Sequence, residues 1–361
     1  MRIAVIALFW AVLLAVLYVV RRRRSVVFWP LLALSLMLLF NLIFTPQFYK
    51  LELRPAEYPL FGLNIPRLYG VPIDIINHAS KVGILAIGMT LVIAVGGIDL
   101  SVGAVMAIAG AMMAAMSKEL GYSPAQCIAA ALAVGIVCGI WNGFLVAVMA
   151  IPPMVATLIL MVAGRGIAQL ITDGQIIIFN NPVLTFIGNG FILIPFPFIL
   201  MLLMFALTRF LTGTTAVGYM IESVGDNEVA ARRAGLNARL IKFLVYVFCG
   251  LCAAVAGLVH TANIRSADAN NIGLNLELDA IMAVVIGGAA MTGGRFYLAS
   301  SVVGALLIQT LTTTMYAKDV SPVVAPLFKA VVVLAVVMLQ SDRMRRFMPV
   351  LRLMIWKGTR G

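Results

Sequence analysis

Residues 125–150 pass without one charged side chain, and the run is not alone. Stretches near 3–20, 26–44, 82–97, 101–117, 153–172, 193–211, 243–262, 279–294, 297–316 and 322–340 are just as apolar, with at most one charge each. A helix needs about 20 apolar residues to cross a bilayer, within a working range of about 17 to 25. Lipid offers backbone groups no partner, so only helices and closed barrels span it. Barrel strands alternate apolar and polar residues, and these runs do not. The expected fold is an all-α polytopic membrane protein, with about ten core transmembrane helices and an extra N-terminal one. Composition agrees: 63% of residues are hydrophobic and 11% charged, against about 25% charged in soluble domains.

The basic residues are arranged for a membrane rather than for nucleic acid, despite a net charge of +12. They cluster beside apolar runs, as Arg21 to Arg24, Arg232 with Arg233, and Arg343, Arg345 and Arg346. Lysine and arginine hold loops in the cytoplasm, and all three clusters fall on one side when the spans are threaded in order. That threading puts loop 212–242 and the C-terminus inside the cell and the N-terminus outside. One arginine precedes residues 3–20 and four follow, an order that suits a membrane anchor better than a cleaved signal peptide. The chain divides into an extra span with its basic stop (1–24), a transmembrane domain (25–342) and a basic cytoplasmic tail (343–361). Lys81 counts with the outer loops, while Arg165 and Lys329 lie within spans and are expected to reach outward to an interface.

No metal or catalytic set emerges. His78 and His260 are far apart in sequence, and Cys249-Gly-Leu-Cys252 has redox spacing but lies in an apolar helix, where free cysteine packs as a small hydrophobe. Two loops are long. Loop 45–81 holds five prolines and ends in Ile73–Asn77, read as a short interfacial helix, with Phe48 and Tyr49 as interfacial anchors. Loop 173–192 reads either as a connection or as a docking surface outside the membrane.

Loop 212–242 carries more information. Asp226 is a suitable N-cap for a short helix over Asn227–Ala234, with Glu228 at its start and Arg232 at its end suiting the helix dipole. Ala230 and Ala231 allow close approach by another surface. Gly235 can terminate the helix in the left-handed conformation, and Asn237 can cap the next. Elsewhere Gly96, Gly97 and Gly103 mark a tight turn or broken helix, in which Asp99 caps the following helix beside Ser101. Val92–Gly97 is echoed by Val284–Gly288, either as an internal repeat or as the chance likeness of apolar sequence. Polar residues inside spans are functional suspects. Thr90, Asn142, Gln169 and Gln309 suit sugar hydroxyls or helix-to-helix bonds, and Asn270, Asn271, Glu277 and Asp279 precede a span on the outer side. No G-x-x-x-x-G-K-[ST] phosphate loop occurs in the sequence, so no ATP site of that type is expected.

Three ordered motifs carry a family resemblance over residues 75–340. Gly218–Asn227, including Glu222 and Gly225 and followed by Ala230-Ala231 and Ala234-Gly235, resembles the coupling region of permeases in the ribose-type branch of ABC sugar importers. Leu85–Ile93 leading to Gly96–Gly103 resembles that family's second signature, and Gly287-Gly288 with Gly293-Gly294-Arg295 its third. Ala267–Asn271 and Leu276–Ala280 are similar to the galactofuranose-type permeases. The N-terminal span departs from the pattern. The resemblance implies the bacterial inner membrane and a translocation path for a monosaccharide such as galactofuranose, working by alternating access. It implies no cofactor in this chain, ATP and Mg on a cytoplasmic ATPase subunit, a second permease, and an extracytoplasmic sugar-binding protein. An ion-gradient-driven transporter and a membrane-embedded enzyme are the alternatives. The first would need ionisable relays near mid-span and the second a convergent catalytic set.

Overall fold

The computed structural model describes residues 26–45, 48–54, 67–118 and 120–340. The expected first span, the Arg21–Arg24 cluster and the basic tail lie outside the described residues. Within them the chain is helical, with two small antiparallel strand pairs. Helix α1 (Phe28–Phe44) is followed by β1 (Glu52–Arg54) and β2 (Arg67–Tyr69), then α2 (Val71–Ala94) and α3 (Val102–Lys118). Helix α4 (Pro124–Gly143) runs on into a π-helical turn, Phe144–Val148, before α5 (Pro153–Ile171). Next come β3 (Ile177–Ile178), α6 (Pro182–Asn189), α7 (Phe196–Thr214), α8 (Val217–Asp226) and α9 (Glu228–Arg233). Helix α10 (Ala238–Ile264), β4 (Ser266–Ala267), α11 (Leu276–Ile286), α12 (Leu298–Ala317) and α13 (Ala325–Gln340) complete the described chain.

Proline in the first turn starts α2, α4, α5, α6 and α7, where its missing N–H would be unpaired anyway. Ser123 and Gln126 add a reciprocal cap to α4. Among the described residues six helices are long and apolar enough to cross a membrane: α2, α4 with its π turn, α5, α7, α10 and α12. Of the most apolar window of α2, 89% is buried, against 17% for α7. Helix α2 is therefore a central element, packed by α10 and α12, and α7 lies at the periphery. Small residues permit this crowding: a Cβ on Gly139 of α4 would come within 2.6 Å of Val247 Cα on α10.

Two breaks lie inside the bundle rather than at its surface. Helix α10 is about 40 Å long at 1.5 Å per residue. Gly97, just past α2, packs on Tyr246, about 12 Å along α10, and Met106 in α3 packs on Gly257, about 28 Å along. The turn from α2 to α3 thus sits within the bundle, about a third of the way along α10, with Val95, Ile98, Asp99 and Ser101 all buried. The second break is the loop before α11. Ala269 and Ile272 are buried, and the Gly273 carbonyl meets Gly103 at the start of α3. Helix α11 has only 11 residues, about 16 Å, so it covers half a bilayer where a full span over 279–294 was expected.

Other expectations change as well. Ile73–Asn77 is no interfacial helix but the first turns of α2, with Ile75 and Asn77 buried. Phe48 is 1% exposed and the Tyr49 hydroxyl donates to the Leu38 carbonyl at 2.7 Å, so neither is a surface anchor. Lys81 is buried within α2. Loop 173–192 is built rather than plain: it carries α6, and its β3 pairs with β4 through Ile177 and Ala267.

Candidate functional site

Helices α8 and α9 form a capped helix pair packed on the bundle. Asp226 closes α8, and Asn227 is the N-cap of α9: its extended backbone lets Oδ1 accept from Ala230 N at 2.9 Å. The predicted cap is thus displaced by one residue, because Asp226 remains helical. Gly235 ends the element at φ +88, and Asn237 caps α10 through Leu240 N at 3.1 Å. Glu228 pairs with both Arg232 and Lys242, fixing α9 to the base of α10. The Lys242 hydrogen bond holds its carboxyl below the usual carboxylate range. Val224, Ala231 and Ala238 close a small apolar core beneath. Val229 and Ala230 remain exposed. Glu222 lines a cavity on the opposite flank of α8.

The helix pair is joined to the bundle where all three glycine motifs meet. Gly225 lies against the Ala94 carbonyl, and a Cβ there would come within 2.5 Å of Gly294 N. Gly294 N donates to Ala94 O at 2.9 Å, and a Cβ on Gly293 would approach Gly225 O at 2.8 Å and Gly96 N at 2.9 Å. Gly96 and Gly288 take positive φ in the two turns, and Gly287 packs on the start of α12. Motifs about 60 to 200 residues apart in sequence are one backbone junction in space.

Deeper in, Asp99 Oδ1 accepts from Ser101 N (2.9 Å), Ser101 Oγ (2.6 Å) and Asn142 Nδ2 (3.3 Å), and Cys249 lies within hydrogen-bonding reach. Asn142 Nδ2 also donates to Ser101 Oγ at 2.8 Å, and Thr157 Oγ1 donates to Ile98 O. Asp99 thus braces Ser101, the residue before α3, and accepts from no amide of the helix itself. At the second break Glu277 is 4% exposed, and its Oε2 has no partner among the described residues. That oxygen faces Gly103, where a Cβ would stand 2.5 Å away. Arg165 donates to the Ala269 and Ile272 carbonyls at 3.0 and 2.5 Å and holds the loop in place, instead of reaching the interface.

The remaining candidates do not share one site. The Thr90 and Ser301 hydroxyls lie 2.9 Å apart and tie α2 to α12. Gln309 bonds within α12 to Thr313. Gln169 donates to Asn270 at 2.6 Å on the exposed rim, and Asn271 donates to Asp268 at 2.7 Å. The Asn271 bond holds the Asp268 carboxyl below its usual range. Lys329 donates to both oxygens of Asp279, at 2.8 and 2.9 Å, so it too turns inward. One cluster has no counterpart in the sequence reading. Lys81 Nζ lies 3.1 Å from His78 Nδ1 one turn earlier in α2. A lysine within an otherwise apolar helical period was the available signal. Among the described residues no group of three or more potential ligands is placed to hold a metal.

An apolar helical bundle whose helices are interrupted inside the fold is an architecture that transporters use. Residues 71–339 match the family model of the branched-chain amino acid transport system permease component. The chain is 53% identical over 321 residues to the galactofuranose transporter permease protein of Escherichia coli (strain K12), covering 87% of this chain and 91% of that protein. It is 39% identical to the fructose import permease protein of Bifidobacterium longum (87% of each) and 34% identical to the ribose import permease protein of Escherichia coli (75% and 85%). The chain belongs to this permease family, in its ribose- and galactofuranose-type ABC branch. Such permeases are not enzymes, and ATP is hydrolysed on a separate subunit. No solved structure matches the chain.

Proposed function

We propose that this chain forms the translocation path of a bacterial sugar importer in the cytoplasmic membrane, with galactofuranose the favoured substrate. High identity to a galactofuranose permease supports that choice. The side bearing α8 and α9 is cytoplasmic, as is the C-terminus, and the N-terminus is outside. A cytoplasmic ATPase carrying ATP and Mg docks on α9, a second permease completes the path, and a sugar-binding protein delivers from outside. Sugar passes the junction of the two breaks, where the unpaired oxygens of Glu277 and Asn142 are available to accept from hydroxyls.

The Gly225–Ala94–Gly294 junction carries the reading. A push on α9 travels through α8 to the end of α2 and the turn before α12 without passing through a flexible side chain. Alternating access needs an element whose position differs between two states, and this junction supplies it. Gly235→Pro is the test. Proline cannot adopt φ +88 and removes the N–H that donates to Arg232 O. The variant should insert normally and let its ATPase turn over, but lose sugar uptake. Uptake at the wild-type rate would count against the lever.

A further inference from the structure

Loop 268–275 carries the chain down to Glu277, and the loop is held largely from α5. Asp268 turns its first residues by accepting from Asn270 N and Asn271 N, at 3.0 and 3.3 Å. Gly273 and Asn275 then take φ +75 and +63, so the chain changes direction again before α11. The Ala269 and Ile272 carbonyls between these turns find their donor on α5, where Arg165 Nη1 stands 3.0 and 2.5 Å from them. Gln169, one turn further on the same face of α5, donates to the Asn270 side chain at 2.6 Å. Past α5, β3 pairs with β4 at the entrance to the loop. Gly164 lets α5 come close enough for this: a Cβ there would stand 3.2 Å from Ala104 Cβ and from Ile108 Cδ1 of α3.

One of these contacts leads directly to Glu277. Ile272, whose carbonyl Arg165 holds, precedes Gly273, and Gly273 meets Gly103 backbone to backbone: a Cβ on Gly103 would lie 2.4 Å from Gly273 O. The same Cβ would lie 2.5 Å from Glu277 Oε2, the buried oxygen without a partner among the described residues. Leu276 N donates to Gly273 O at 3.2 Å, so the turn that Arg165 fixes also sets where α11 begins, one residue before Glu277. A guanidinium suits placement, because charge-assisted bonds are about twice as strong as neutral ones and a rigid planar group fixes their direction. We propose that Arg165 is a positioning residue for sugar recognition: through the Ile272–Gly273 turn it sets the place at which the free oxygen of Glu277 meets a sugar hydroxyl. The inference rests on Glu277 lying in the transport path, as given above, and it can fail while that reading stands.

The full chain assembled with its ATPase and binding protein in proteoliposomes gives the test. Radiolabelled galactose, ribose and fructose are the probes, and uptake of the sugar accumulated is expressed per ATP hydrolysed. That ratio does not move when a variant only lowers the amount of folded transporter, since both rates then fall together. Arg165→Gln should lower it about tenfold, the scale of a charged hydrogen bond, and Arg165→Lys, which keeps a donor and the charge, about threefold. On a Glu277→Gln background Arg165→Gln should cost nothing further, because the group that it positions is already altered. A loss that persists in full on that background, or an Arg165→Gln ratio equal to wild type, overturns the positioning role and leaves Glu277 in the path. A Glu277→Gln ratio equal to wild type removes Glu277 from the path and the proposal with it. If Arg165→Gln does not insert, Arg165→Lys on the two backgrounds decides by the same comparison.

Discussion

Glu277 shows what a single side chain can do in this bundle. A buried polar oxygen without a partner is costly unless something else engages it, and the Glu277 oxygen stands at the start of a half-helix facing Gly103. Sugar hydroxyls are donors that satisfy such an acceptor in transit. Glu277→Gln keeps the volume and alters the acceptor, so sugar uptake should fall about tenfold or more, the scale of one charged hydrogen bond. Basal ATP hydrolysis by the assembled transporter should persist. Unchanged uptake in membrane vesicles would remove Glu277 from the path. Asp99 is the contrast: Ser101 and Asn142 donate to its Oδ1 and Cys249 lies within reach, so its role is structural. From sequence Asp99 reads as a cap and Glu277 as a polar residue before a span; that Glu277 is buried against Gly103 is decided by packing.

At the scale of elements, two ion pairs hold helices in register, and they differ in burial. Asp279 of α11 is buried and its partner Lys329 of α13 is largely so. Lys329→Ala leaves a buried carboxylate uncompensated and should destabilise the protein by about 3–5 kcal/mol. Adding Asp279→Ala to that variant removes the orphaned charge and should restore part of the loss, as thermal unfolding in detergent would show. Glu228 is partly exposed, and its pair with Lys242 fixes α9 to α10. Its folded carboxyl titrates below the ordinary value of about 4.3, so the pair's contribution is present above that value and is lost as acid carries the group through its lowered one. Stability followed from about pH 6 to about pH 3 should therefore fall in the wild type toward that of Glu228→Gln, closing the gap between them. A constant gap would contradict the assignment. Much of this layer was legible. Asn237 and Gly235 act as the sequence indicates, because capping depends on neighbours within one turn. Lys329 was misread as reaching outward, since its partner lies 50 residues away.

For the whole molecule, the expectation is division of labour. Purified chain in liposomes should neither hydrolyse ATP nor accumulate sugar, and both should appear when its ATPase and binding protein are added. Accumulation by the chain alone, driven by an ion gradient, would reverse that conclusion. Several charges of the described bundle are already engaged: Asp279 and Lys329 pair with one another, Arg165 bonds to backbone, and Asp99 accepts from Ser101 and Asn142. The His78–Lys81 pair lies in the outward half of α2 under the proposed orientation, away from the two breaks.

Sequence by itself determined the solvent, the helical class, the short capped lever and the motifs of the family, because each rests on local composition or on contacts within a few residues. Tertiary structure alone decided that the α2–α3 turn is buried inside the bundle, that α11 spans half a bilayer, and that Gly96, Gly225 and Gly294 share one junction. Hydropathy measures how well a residue tolerates lipid, and residues buried in protein score the same. Depth, and which glycines touch, depend on how helices distant in sequence pack, and no local pattern encodes that.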